Sequence, residues 1–337
     1  MPTAKKQIGC ALIGYGGAFN MGRLHGTQIN DVPGMKITAV CDADAKRLPI
    51  AAQDFPGIET YTDVKELLKS PNVDLCVIIL PHNMHAPVAL QCLRSGKHVV
   101  LEKPMCITTA EAKSMIDAAT KAGVTLTVFH NRRLDGDFKT LKHAIEKGLL
   151  GQVFSIEMWG GGFGGPRGWW RDKKEISGGA FYDWGAHYLD WLLQIMGPDI
   201  QSVTGVTQKL VWKTMTNEDH VQAFIRFASG AVANVQFSSI AHHSLPRWRV
   251  LGTKGAAVSG DTGFDYYTEV DGVKVKGLLK YEDSNWEDYY PALGAHLLRG
   301  AELPVKPEEA ARVIAIMETA EKSAASGKAE QLPKWLQ

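Results

Sequence analysis

The sequence predicts an α/β domain built on a parallel, doubly wound sheet, followed by an α+β domain with a large open, mostly antiparallel sheet. Three observations predict this. Short apolar runs alternate with helical stretches over residues 1–128. A glycine-rich turn follows the first of these runs. From Val153 onward the alternation gives way to a succession of strands. Strands alternating with helices imply βαβ units and a parallel sheet, whereas clustered strands with tight turns imply antiparallel pairing. The expected boundary therefore separates residues 1–128 from residues 129–337.

The first-half strands are the apolar runs at 7–13, 35–41, 73–80, 97–101 and 125–129. Runs this short and this continuously apolar suit strands buried on both faces. Helical stretches lie at about 22–31, 44–54, 63–69, 84–95 and 108–122. The first turn reads Gly14-Tyr15-Gly16-Gly17-Ala18-Phe19. A strict G-x-G-x-x-G would place its third glycine at Phe19, so the turn is expanded and Gly22 takes the helix-packing position. Gly14 would allow the tight turn. Gly16, followed by Gly17, Ala18 and Phe19, would let backbone approach a pyrophosphate at the helix N-terminus.

The second strand ends at Asp42, with Arg47 shortly after it. A carboxylate there accepts hydrogen bonds from adenosine ribose hydroxyls and repels a 2′-phosphate, which favours NAD over NADP. Asp42 also reads as an acid stabilised by a helix dipole. Pro81, His82 and His85 follow the third strand at the ligand edge of such a sheet, and His85 is read first as a local cap.

In the second half, 202–210, 218–228, 231–240 and 248–252 are strand-like, with hairpin turns at Ser229-Gly230 and Asp271-Gly272. Several strands carry apolar residues on both faces: Val221, Ala223, Ile225 and Phe227 oppose Phe224, and Val232 opposes Val235 and Phe237. One face can rest on helices and the other wants a partner chain. A helix beginning near Gly179 would place Asp183, His187 and Asp190 on one face. That face reads as a catalytic wall, as a buried polar cluster, or as a metal site, since Asp and His one turn apart can ligate zinc. Trp169, Arg171 and Arg133 are candidate substrate contacts, as aromatic faces and guanidinium groups suit polyhydroxylated rings, and the adjacent Trp169 and Trp170 read almost equally as an interface or packing loop. Arg133 equally reads as a bridge. Ala310–Ser323 is an amphipathic helix.

Charge balance is even at +1, which offers nothing to nucleic acid or a membrane surface. No apolar run approaches a span, and five cysteines with no C-x-x-C pair read as buried thiols in a reducing, cytoplasmic setting.

Pro81-x-x-x-His85, Gly96-Lys-His-Val-Val-Leu-Glu-Lys-Pro104, Ser177-Gly-Gly-Ala-x-x-Asp183-x-x-x-His187-x-x-Asp190 and Pro304-Val-x-Pro307-Glu-Glu-Ala310 run nearly end to end. Together they resemble the Gfo/Idh/MocA family of NAD(P)-dependent oxidoreductases. The expanded glycine turn and His82, where relatives often have asparagine, depart from the pattern. The resemblance implies a Rossmann domain and a second sheet that pairs copies into homodimers or homotetramers. It implies that helix 307–326 packs back towards the nucleotide domain. It places Lys103 by the nicotinamide ribose and the substrate hydroxyl, with Glu102 beside it among the cofactor-binding residues and a cis bond before Pro104. It makes Asp183 and His187 catalytic, His187 as proton acceptor. The expected activity is hydride transfer between NAD and a CH–OH group of a sugar, sugar derivative or cyclitol, without a metal. Its rivals are a redox-neutral NAD-dependent glycosidase and a noncatalytic sugar-responsive regulator.

Overall fold

Most strands of the first half are largely buried, as a doubly covered sheet requires. The computed structural model describes residues 7–337. In chain order the first part contains β1 (Ile8–Ile13), α1 (Met21–Asn30), β2 (Met35–Cys41), α2 (Leu48–Asp54), β3 (Glu59–Tyr61) and α3 (Val64–Leu67). It continues with β4 (Leu75–Ile78), α4 (His82–Arg94), β5 (His98–Leu101), α5 (Thr109–Ala122) and β6 (Leu126–Val128). The strands form a six-stranded parallel sheet in the order β3-β2-β1-β4-β5-β6. The order reverses direction at β1, so the loops after β1 and β4 part there and leave a crevice for a ligand. Every residue of β1 and β4 is buried. Strand β3 is the one that pattern reading passes over: Glu-Thr-Tyr is a half-exposed edge with no apolar run.

The second part contains α6 (Gly136–Glu146), β7 (Val153–Gly161), α7 (Lys174–Ser177), α8 (Gly185–Met196), β8 (Ile200–Gln208), β9 (His220–Phe227) and β10 (Val232–Ser238). Then come β11 (Trp248–Gly252), β12 (Gly255–Ser259), β13 (Gly263–Val270), β14 (Val273–Lys280), α9 (Tyr289–Arg299) and α10 (Pro307–Ser326). Eight strands line up as β14-β13-β12-β11-β7-β10-β9-β8, antiparallel except for β7 with β10. The β13–β14 hairpin turns at Asp271 (φ 50) and Gly272 (φ 80), the pair of left-handed residues that a tight hairpin needs.

One face of this sheet is core. Val221, Ala223, Ile225, Phe227, Val235 and Phe237 are all buried. Trp191 of α8 and Trp248 of β11, both wholly buried, meet at 5.4 Å, and Tyr188 stacks on Trp191 at 5.3 Å. The opposite face is mixed rather than uniformly apolar. Phe224, Val206, Tyr267 and Leu278 are exposed among Gln222, which bonds Asn234, and Arg249, which pairs with Glu157.

The chain divides into two units, residues up to His130 with Glu287–Ala311, and Asn131–Trp286 with Arg312–Gln337. Helix α9 belongs to the first because Tyr289 donates to the Val128 carbonyl (3.1 Å) and Gly294 lies against Val32 and Met35 with no room for a Cβ. The first turn of α10 falls with α9 in the first unit. The rest of α10 belongs to the second unit, where Ser323 Oγ accepts the Gly205 N–H at 3.0 Å. All five cysteines are buried thiols. Among the described residues no helix is long and apolar enough to cross a membrane.

Candidate active site

In the first unit the predicted cofactor residues gather at the carboxyl ends of the parallel strands. Gly14 leaves β1 at φ 95, and a Cβ there would lie 2.2 Å from the Ile79 carbonyl oxygen, so only glycine lets the loop pass the β4 end. The loop is tied down by Asp42 at the end of β2: one carboxylate oxygen accepts the Tyr15 N–H (2.6 Å), the other the Asp44 N–H (2.8 Å). A carboxylate has about four lone-pair sites, so two remain for further donors. The Arg47 guanidinium lies against Gly17, with its nearest nitrogen 2.9 Å from where a Cβ would be. Gly16 has open space where a side chain would stand, and Phe19 is exposed.

Gly22 does not touch the sheet in the manner expected. It faces the Tyr15 ring, 2.6 Å from a would-be Cβ, while Gly26 one turn later makes the close approach to Phe55. Helix α1 follows Asn20 without a side-chain cap, which leaves its first N–H groups for an anion. Helix α4 starts at His82 rather than near 84, because Pro81 supplies an extended residue before it. Asn83 in its first turn holds a buried Oδ1 with no hydrogen-bond partner. Open backbone at Gly16, an uncapped helix start, a carboxylate at the end of β2 and an orphaned amide oxygen together fit a dinucleotide.

His85 is wholly buried, its ring nitrogens 2.8 Å from the Pro104 carbonyl and 2.9 Å from that of Leu80. Burial holds its pKa below the usual value, even though these bonds and Glu102 pull the other way. With both nitrogens beside backbone carbonyls, His85 braces the loops after β4 and β5. His82 is buried beside it, the rings 5.8 Å apart. The Lys103–Pro104 bond is cis. Glu102 faces inward to His25 (2.9 Å), and accepts the Lys103 N–H at 3.1 Å. Burial raises the Glu102 pKa, but the His25 bond and the charges of His25 and Lys103 outweigh it, so the carboxyl sits below its ordinary range.

In the second unit His187 lies in α8, nearly buried, its ring 5.7 Å from Trp184 and 6.4 Å from Trp191. The expected single face of Asp183, His187 and Asp190 is corrected. A short 3-10 turn, Ala180–Tyr182, precedes Asp183, and α8 begins only at Gly185. Gly178 and Gly179, both at positive φ, break the helix that the spacing suggests. Asp183 thus stands before α8, 3.8 Å from Arg171.

Arg133, read as a substrate contact or a bridge, grips Asp190 through two bonds of 2.8 and 2.6 Å. Its neighbour Arg132, which sequence reading did not single out, is the arginine beside His187's surroundings. Its guanidinium lies over Trp184 (4.5 Å) and Trp286 (4.9 Å) and pairs with Asp135 at 2.9 Å. Asp135 also accepts the Trp286 indole N–H at 2.5 Å, and burial raises its pKa. Two consecutive arginines in a 3-10 turn point in different directions, which only coordinates can sort. Arg171 is stacked on Trp169 (4.7 Å) and Trp170 (4.5 Å), so part of the expected aromatic platform is already covered. Among the described residues no group of three or more His, Cys, Asp or Glu is placed to hold a metal ion.

A glycine-turn parallel sheet with a carboxylate at the end of its second strand, joined to a second antiparallel sheet, defines a dinucleotide-binding oxidoreductase class. The chain belongs to the Gfo/Idh/MocA oxidoreductases: residues 8–130 match the NAD-binding Rossmann fold of that family and residues 138–258 match its C-terminal domain. It is an NAD-binding oxidoreductase. It is 30% identical to the myo-inositol 2-dehydrogenase of Thermotoga maritima, over 72% of this chain and 73% of that protein. It is 26% identical to the scyllo-inositol 2-dehydrogenase (NADP(+)) IolW of Bacillus subtilis, over 94% of this chain and 93% of that one. Its fold superposes on an NAD-binding protein from Listeria innocua with a TM-score of 0.88 and 26% identity, covering 97% and 99% of the two chains.

Proposed function

We propose that the protein is an NAD-dependent dehydrogenase acting on a CH–OH group of a cyclitol, sugar or sugar derivative. The observation that carries this reading is the similarity, across most of the chain, to two proteins named as inositol 2-dehydrogenases. When bound, the nicotinamide ring supplies the hydride acceptor. The chain supplies the rest. Gly14, Gly16, Gly17, Ala18, Phe19, Asp42, Arg47, Pro81 and His82 hold the dinucleotide, joined by Asn83. The Lys103 ammonium donates a hydrogen bond to the reacting hydroxyl oxygen and lowers the cost of charge developing there. His187 takes the hydroxyl proton on Nε2, its Nδ1 being buried. Asp183 and Arg171 orient the substrate, with Trp169 and Arg132 beside them. Asp42 favours NAD over NADP. Copies of the chain associate through the mixed outer face of the second sheet, around Phe224 and Val206.

A panel of inositols, sugars, sugar acids and aminosugars, offered with NAD and NADP and read at 340 nm in both directions, tests the activity. Turnover of a cyclitol or sugar with NAD is the expected result. Silence at 340 nm with every compound, in protein that binds NAD, would overturn the dehydrogenase reading. Cleavage of a glycoside without net NADH would replace it with the redox-neutral route.

A further inference from the structure

Behind Lys103 lies a line of ionisable groups that cofactor contact does not explain. The Tyr290 hydroxyl is 2.6 Å from His25 Nδ1, and His25 Nε2 is 2.9 Å from Glu102 Oε1. The other oxygen of Glu102 accepts the Lys103 N–H at 3.1 Å. Tyr290 and His25 are wholly buried, and Phe129 closes edge-on over the imidazole at 4.4 Å. The three residues come from α9, α1 and the end of β5, all within the first unit.

The geometry orders the protons. Burial keeps the Tyr290 phenol well above its usual pKa, so its hydroxyl stays protonated within hydrogen-bond distance of Nδ1. An ionised carboxylate can only accept, so His25 Nε2 carries a proton and donates a hydrogen bond to Glu102. Glu102 stays ionised next to Lys103. A contact between two helices and a sheet does not need this. Apolar side chains of the same volume would be at least as stable, since burying charge costs more than such pairs return.

We propose that Tyr290, His25 and Glu102 are positioning residues that act through Lys103, fixing the lysine in place and setting the charge beside its ammonium. His25 belongs to the helix that follows the glycine turn, and Tyr290 to the helix that rejoins this unit late in the chain. The nucleotide loop and the late helix therefore bear on the same lysine. The proposal rests on the reading that Lys103 serves the substrate hydroxyl.

The test uses full-length protein with saturating NAD and the best substrate of the panel. Glu102→Gln keeps the shape and the acceptor for the Lys103 N–H but removes the charge, and Tyr290→Phe removes one hydroxyl and keeps the ring. Loss of kcat by about 10–100-fold in Glu102→Gln and about 3–10-fold in Tyr290→Phe, with the KM for NAD within about twofold of wild type, is expected. In a Lys103→Ala background neither change should cost anything further. A second readout needs no substrate. The rate of trace acetylation of Lys103, followed on its peptide by mass spectrometry with exposed Lys113 as internal reference, should change by at least about threefold in both variants. Wild-type turnover in Lys103→Ala would sink the lysine reading itself. Lost turnover there, combined with wild-type kcat and unchanged labelling in Glu102→Gln and Tyr290→Phe, would sink the relay alone. So would full multiplicative losses in the Lys103→Ala background.

Discussion

Replacing Arg133 with Met should loosen the second unit more than it harms substrate binding. The guanidinium holds Asp190 through two bonds of 2.8 and 2.6 Å, and the two side chains are 13% and 2% exposed. Met keeps the length of the stem but leaves the carboxylate in the interior without this cation. Hydrogen bonds to charged groups contribute about 1.5–3 kcal/mol each, so two give about 3–6 kcal/mol. Breaking a buried pair from one side typically costs about 3–5 kcal/mol, which agrees. For a unit of this size each kcal/mol moves the melting point by about 2–4 °C, so a drop of about 6–20 °C is expected. All nine tryptophans, from Trp159 to Trp335, belong to the second unit, so a thermal melt followed by tryptophan fluorescence reports on that unit. Arg133→Met combined with Asp190→Leu should recover much of the loss, because no charge is then stranded. A melting point within about 2 °C of wild type, together with a raised substrate KM, would refute the clamp and return Arg133 to the substrate.

Asp42→Ser should narrow the preference for NAD over NADP by about tenfold, the worth of one partly desolvated like-charge contact, as titration of both nucleotides would show. His187→Ala should lose about 10²–10⁴ in kcat with nucleotide affinity retained, and wild-type turnover in folded protein would move the proton acceptor elsewhere. The depressed pKa of Glu102 gives a pH signature. A carboxyl whose folded pKa lies below its unfolded one stabilises fully above the unfolded value of about 4.3 and loses that contribution as pH falls through the folded value. The stability gap between wild type and Glu102→Gln, read by urea melts, should therefore be constant near neutrality and shrink below about pH 4.5.

Much of the fold was legible because buried parallel strands announce themselves. The runs ending at Ile13, Cys41 and Leu101 are mostly apolar and mostly buried, and a glycine must follow β1 where a Cβ would strike Ile79. Edge strand β3, half exposed, carries no such signal. The Asp271-Gly272 hairpin was legible for the opposite reason, as few residue pairs accept two successive positive φ values. Helix spacing misled at Asp183, where Gly178 and Gly179 unwind the chain before α8.

By itself the sequence determined the class: a dinucleotide turn, a carboxylate at Asp42, Glu102-Lys103-Pro104 and a late His187, because each depends on local chemistry at fixed spacing. Tertiary structure alone decided the partners. It put Arg133 on Asp190 and Arg132 over Trp184, turned His85 onto two backbone carbonyls, and brought Tyr290 to His25 across 265 residues. The reason is physical: periodicity tells which face of an element is buried, but the hydrogen bonds that a buried polar group must find are made to whatever the fold sets opposite it.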